Sequence, residues 1–419
     1  MLWAATAQAA DTYCTATSYG DEPAKAGAPI RFGIDPELAG SVGVSQGQAT
    51  PLDAAKDIAA LHALTPPGKE LVLRVNRLFW ADGDAGIQRF QKIVAAHDAA
   101  GFDSELQVRY HPASADEGDI AKWKDYVRHV VDVFGADRHV VAMTITNEVN
   151  LNISQNTSDG AYTGARDALV QGIEAARAEA DRIGRKDLLF GFTYAYRWQP
   201  GSDQAFWAAI AAAGPAFRSA LGFVGADIYP GTFYPPVIAP TSSPAHEMLV
   251  ALSTVRNCFM ANAGLPASVP IWVTENGYDS GASNDDATQD AALKGMVGAV
   301  VDHAGTYGVT DYRWFNLRDN QTGSSALFDT TGLLHDDYSA KPAFADLRAL
   351  IAAHGAAAPH CRVVFVLPRG ARSVVVRESG KRLRAKRSGR RVTVSAARGR
   401  VVLTAKARSG RRIRLTSGC

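Results

Sequence analysis

Two glutamates end apolar, β-branched runs in this 419-residue chain. One run is Ala142-Met143-Thr144-Ile145-Thr146-Asn147-Glu148; the other is Pro270-Ile271-Trp272-Val273-Thr274-Glu275-Asn276-Gly277. A pair of carboxyls on facing strand ends can do complementary work if one keeps its proton and the other its charge. Such a pair can break a glycosidic bond: one protonates the leaving oxygen while the other attacks the anomeric carbon. Either glutamate alone carries little weight, because Asn and Glu are ordinary residues where a strand gives way to a helix. The chemistry requires a fold that brings the two together.

The elements that could do so alternate along the chain. Short apolar runs predict strands over 30–35, 71–77, 105–110, 140–146, 188–192, 223–228, 271–274 and 311–315. Amphipathic stretches predict helices over 52–64, 86–100, 120–134, 165–183, 204–213, 244–263, 288–303 and 342–354, with Gly101, Gly135, Gly184, Gly264 and Gly308 at the joins. Eight strands alternating with eight helices predict a parallel sheet closed into a (β/α)8 TIM barrel. An open doubly wound sheet is disfavoured, since Gly33-Ile34-Asp35-Pro36 after the first strand is not a Gly-rich phosphate turn. In such a barrel the chemistry sits at the C-terminal strand ends. Those ends carry Asp35, Arg74, Arg77, His111, Asn147, Glu148, Tyr194, Tyr196, Asp227, Tyr229, Glu275, Trp314 and Asn316. Aromatic faces suit sugar rings, and amides and acids suit hydroxyls. His111 is the one histidine at a strand end, which disfavours a metal-dependent phosphodiesterase or amidase. No metal and no cofactor is expected.

These residues resemble clan A of the glycoside hydrolases, retaining (β/α)8 enzymes with the acid/base after strand four and the nucleophile after strand seven. Asn147-Glu148 matches the clan's Asn-Glu, and Glu275 in Val273-Thr274-Glu275-Asn276-Gly277 matches its nucleophile strand. The resemblance covers about residues 28–355. It implies a retaining hydrolase of β-linked O-glycosides, with Glu148 as general acid/base and Glu275 as nucleophile. It further implies that Asn147 binds the sugar 2-hydroxyl, Tyr229 donates to Glu275, and Arg74 lowers the nucleophile's pKa, with Arg77 a competitor for that place. His111 fits the strand-three histidine, and Trp314 fits the strand-eight platform under the sugar. Two departures leave the family open between 5-like and 39-like. Asp227 stands where many members carry histidine, and Arg77-Leu78-Phe79-Trp80 differs from the commonest family 5 form. Trp80, Trp198, Phe233 and Tyr234 are candidates for outer subsites or for loop packing. Asp285-Asp286 reads as a helix start. The rival from another class is a catalytically inactive barrel that binds carbohydrate as a scaffold.

The formal net charge of +2 hides two opposite bodies. From Cys361 to Cys419 there are 18 Lys and Arg against one acid, Glu378; the remainder holds 26 basic and 41 acidic residues. The split predicts an N-terminal arm at 1–27, a barrel at 28–357 and a basic β-rich domain at 358–419. Period-two runs separated by Ser379-Gly380, Ser388-Gly389 and Ser409-Gly410 predict a small antiparallel sandwich in the last segment. Its charge suits an anionic polysaccharide or the cell envelope, or could instead dock on the acidic barrel. Nucleic acid is disfavoured, because the segment lacks aromatics for base stacking. No apolar run is long enough to span a membrane. Met1–Ala10 reads as a secretory-signal remnant, so the chain is expected to be secreted. Four cysteines without metal-ligand spacing predict two disulfides; Cys14–Cys258 and Cys361–Cys419 are preferred among three pairings.

Overall fold

The computed structural model describes residues 13–15, 18–36, 50–197, 200–281, 284–326, 328–378, 381–397 and 401–417. The expected signal remnant, Trp198 and Cys419 lie outside these residues. Eight parallel strands close a barrel in chain order. They are β1 (Arg31–Ile34), β2 (Val72–Phe79), β3 (Asp103–Arg109), β4 (Val140–Ile145), β5 (Leu189–Ala195), β6 (Phe223–Asp227), β7 (Ile271–Asn276) and β8 (Val309–Trp314). Closure is made by β1 against β8, with Arg31 opposite Asp311 and Ile34 opposite Trp314.

Local chemistry sets the helix limits. Asp53, Asp119 and Asp285 accept backbone N–H groups at the starts of Ala54–Leu64, Ile120–Gly135 and Asp286–Asp302. Gly101 ends Gly83–Ala100 in the left-handed region at φ +88°. The helix expected over 244–263 is α-helical over Pro244–Ser253 and π-helical over Thr254–Met260. Cys258 lies in this π-helical stretch and is disulfide-bonded to Cys14, with the Cα atoms 5.7 Å apart. Glu22 fastens the same arm by accepting from Asn257 Nδ2 at 2.7 Å and Tyr307 Oη at 2.8 Å.

A ladder of buried charge runs through the barrel interior. Arg74 Nη1 meets Glu105 Oε1 at 2.7 Å, and Arg313 Nε meets Glu105 Oε2 at 3.1 Å. Arg313 Nη2 meets Asp311 Oδ1 at 2.8 Å, and Arg31 Nε meets the same oxygen at 2.6 Å. Each carboxylate thus stands between two guanidiniums, which offsets the cost of burying them.

After the helix Pro342–His354 the chain enters an antiparallel domain. Its strands are β9 (His360–Val366), β10 (Arg372–Glu378), β11 (Lys381–Leu383), β12 (Ala385–Ser388), β13 (Arg391–Ala397), β14 (Val401–Lys406) and β15 (Arg412–Ser417). One sheet has the order β11-β10-β14-β15 and the other β12-β13-β9. Val363, Phe365, Val376, Val392, Val394, Val401 and Leu403 form their shared core. Among the described residues, no helix is long and apolar enough to cross a membrane.

Candidate active site

Three long connections follow β4, β6 and β8, and they wall a pocket over the C-terminal end of the barrel. The β4 connection supplies Leu151, Ile153 and Thr157, the β6 connection Phe233, and the β8 connection Phe315 and Phe328. The strand ends supply Asn76, Arg77, Gln107, Arg109, Asn147, Glu148, Tyr229 and Glu275. At two of these ends, those of β2 and β4, three residues leave ordinary backbone geometry. Arg77, Thr146 and Glu148 have φ of +72°, +71° and +45°, a region costly for non-glycine residues. Such strain persists only where surrounding contacts impose it, and here it gathers around one pocket.

The two glutamates face each other inside it. One carboxyl oxygen from each of Glu148, Glu275 and Asp227 lies within 4.8 Å of the others. Glu275 is met by cationic and neutral donors, with Arg74 Nη2 at 3.1 Å from Oε1 and Tyr229 Oη at 2.9 Å from Oε2. Glu148 has a different setting. Its backbone N–H donates to Thr193 Oγ1 at 2.9 Å, and burial, then the Glu275 charge, pushes its carboxyl up to about 8. Arg109 and Arg74 oppose that shift without cancelling it. Burial, then Glu275 and Glu148, also raises Asp227 well above the usual carboxylate range, although Thr274 Oγ1 donates to it at 2.7 Å. For Arg74 burial works against the charge, but Glu105 and then Glu275 hold it above the ordinary arginine range. Three carboxyl oxygens could hold a hard divalent cation. Arg74 already supplies a positive charge to Glu275, so the cluster reads as a charge-balanced carboxyl site.

Asn147 is fixed on all sides. Its Oδ1 accepts from Gln107 Nε2 at 2.7 Å and Thr193 Oγ1 at 3.0 Å, while its Nδ2 donates to the Thr157 carbonyl at 3.0 Å. Asp159, in the connection after β4, accepts from Arg109 Nε at 2.7 Å and from the Asn147 and Tyr110 N–H groups at 2.9 Å. Gln107, Arg109 and Asp159 were not expected from the sequence. The β3 signal was present: Glu105, Gln107 and Arg109 put polar groups at alternate positions of a buried strand, hence toward one face.

Asn147, Glu148, Tyr229 and Glu275 line the pocket, and Arg74 reaches Glu275 from below. Two expected positions do not join them. Trp314 is fully buried and donates from Nε1 to the Thr331 carbonyl at 2.9 Å, so it offers no face to a ligand; Phe315, the next residue, lines the pocket instead. His111 stacks on Phe79 with ring centroids 4.4 Å apart, and its Nδ1 lies 2.7 Å from Tyr162 Oη. It packs the β3 connection and is not among the pocket residues. Arg77 does line the pocket; burial and the neighbouring Arg109 lower its guanidinium to about 10. Phe233 joins it, whereas Trp80 packs on Tyr110 and Trp123, and Tyr234 on Tyr196.

No family model matches the sequence, and no curated protein matches it. Solved structures do match in fold. A family 39 glycoside hydrolase from Bacteroides cellulosilyticus WH2 is 12% identical, with a TM-score of 0.54 over 88% of this chain and 79% of that one. A GH5_18 structure from Bifidobacterium longum subsp. infantis is 13% identical, with a TM-score of 0.55 over 78% of this chain and 80% of that one. A β-glucosidase from Thermotoga maritima is 13% identical, with a TM-score of 0.54 over 80% of this chain and all of that one. The two families between which the sequence left the choice open, 39 and 5, are both among the chain's structural neighbours. The chain has the (β/α)8 fold of these glycoside hydrolases.

Proposed function

We propose that the protein is a retaining hydrolase of β-linked O-glycosides that works by double displacement. The observation that carries this reading is the pair Glu148 and Glu275, with carboxyl oxygens within 4.8 Å and opposite surroundings. Carboxyls whose nearest oxygens approach this closely favour the roughly 5–5.5 Å carboxyl spacing of a retaining enzyme over the ~6.5–9.5 Å that an inverting one keeps for a water. Glu275, with Arg74 and Tyr229 donating to it, is the nucleophile. Its carboxylate attacks the anomeric carbon as the glycosidic C–O bond breaks, and Glu148 delivers its proton to the departing oxygen. Glu148, now ionised, takes a proton from water; that water attacks the same carbon and releases Glu275. Asn147, held by Gln107, Thr193 and Thr157, is placed to bind the sugar 2-hydroxyl. Phe315, in place of Trp314, presents an aromatic face to the sugar.

The same reading makes this an exported enzyme. The Cys14–Cys258 disulfide supports export, because the cytosol keeps thiols reduced. Cell fractionation checks this, and an active, fully reduced cytosolic protein overturns it. For the reaction, a panel of aryl β-glycosides is incubated with the full chain and the first product is followed by proton NMR. The β-anomer should appear first and then mutarotate. An α-anomer first, or binding of glycosides without any turnover, overturns the proposal.

A further inference from the structure

The sandwich carries a surface that its own core does not explain. In the sheet β11-β10-β14-β15, Val376, Leu383, Val401, Leu403, Ala405, Ile413 and Leu415 face inward. The register then puts their neighbours on the outer face. Arg377 stands opposite Arg382. Arg372 stands opposite Lys406, and Lys406 opposite Arg412. Arg414 stands opposite Thr404. All six cations are exposed, and Val375, Val402 and Thr404 lie between them.

Like charges directly opposite on neighbouring strands repel. This face holds two such rows, one across β10 and β11 and one across β10, β14 and β15, and the segment has one acid to set against 18 Lys and Arg. The register also shifts between Arg372 and Val375, where Ser373 has φ +52°. Strict alternation would put Arg372 on the side of buried Val376. The extra residue turns it outward to join Lys406 and Arg412, as bulges commonly re-aim a side chain. The backbone thus completes a cationic row that intrinsic stability disfavours.

We propose that this sheet face binds a linear anionic polysaccharide, one bearing repeated carboxylates or sulfates. The complementary charge must repeat, because the cations form two rows, the longer of them about 10 Å over three strands. It must also lie along a flat surface, which suits an extended glycan. The face presents no aromatic for stacking bases, and the segment's one aromatic, Phe365, is buried in the core. It presents valines and threonines between its cations, with no long apolar side chain to enter a bilayer.

The test uses the full chain and soluble polygalacturonate, with neutral dextran, duplex DNA and phosphatidylserine vesicles as the other probes. Its partner is a chain with Arg377→Gln, Arg382→Gln, Arg412→Gln and Arg414→Gln, changes that relieve repulsion and leave the core intact. The expected result is polygalacturonate binding at low salt that weakens steeply as salt rises. The quadruple variant should bind at least about tenfold more weakly, with a smaller salt slope. Turnover of a small aryl glycoside by that variant should match the parent, which separates this site from the pocket. Equal polygalacturonate binding by parent and variant overturns the proposal. So does absence of binding at low salt, equal binding of dextran, or tighter binding of DNA or vesicles.

Discussion

The barrel interior and the outer sheet of the sandwich both line up charges, the first partly across the barrel and the second between neighbouring strands, yet they do it in opposite ways. In the barrel the sign alternates, from Glu275 through Arg74, Glu105, Arg313 and Asp311 to Arg31. In the sandwich the sign repeats, from Arg372 through Lys406 to Arg412. An alternating ladder is satisfied within the molecule, so it can be buried and can hold a reacting group in place. A repeating row is satisfied only by something outside. The order of charge along strands therefore serves an internal scaffold in one domain and an outward surface in the other.

The largest expected effect comes from removing the last carboxylate of the ladder. Glu275→Ala should cut kcat/KM on aryl glycosides by about 10⁴-fold or more. Its circular dichroism should remain that of the parent, since Glu275 ends the ladder and sits at the pocket wall. Unchanged turnover would break the link between ladder and chemistry. Next comes Arg74, which is fully buried and shared between Glu105 and Glu275. Arg74→Met leaves Glu105 facing one guanidinium instead of two and strips Glu275 of its cation. The expected loss is about 3–5 kcal/mol by urea denaturation. A loss under about 1 kcal/mol would mean that the ladder adds little to the fold.

Much of this arrangement was legible in the sequence, and the remainder was hidden for physical reasons. All eight barrel strands fall within a few residues of the hydrophobic runs, because a strand buried on both faces must be apolar along most of its length. Glu148 and Glu275 stood out because each ends such a run. The ladder was harder to see. Glu105 and Arg313 lie within strands, and only the closed barrel brings β3 and β8 face to face across its interior. Asp159 sits in an irregular connection, so nothing periodic pointed to it. Trp314 failed for another reason. At a strand end a shift of one residue exchanges the two faces, and composition cannot tell Trp314 from Phe315. His111 carried the right residue type at the right strand, but the packing of Phe79 and Tyr162 decided its place.

A smaller effect concerns Glu148, whose carboxyl is raised from an ordinary value of 4.5 to about 8. Between these values the native chain holds a proton that the unfolded chain has released, so this group lowers stability as pH rises through that window. Glu148→Gln should flatten that slope and be the more stable protein at pH 8, by on the order of 4 kcal/mol. Near pH 4.5 the two should unfold alike. The parent's kcat/KM should fall above about pH 8, as the acid loses its proton, and the variant should lose that basic limb. Identical stability profiles for parent and variant would place the raised carboxyl elsewhere, with Asp227 the next candidate.

The smallest effect bears on the comparison most directly. Lys406 stands between Arg372 and Arg412 as Glu105 stands between Arg74 and Arg313. Lys406→Glu would turn a repeating row into an alternating one without touching the inner face, where Leu403 and Ala405 pack. Exposed cross-strand pairs are weak and screened, so the sandwich should melt only about 1–2 °C higher at low ionic strength. The gain should vanish in high salt, where the Debye length falls to about 3 Å. Polygalacturonate binding should fall in the same protein, because one cation is lost and two others acquire an internal partner. If the variant instead melts lower at low salt, the three cations do not repel as the register implies, and the contrast with the barrel ladder fails.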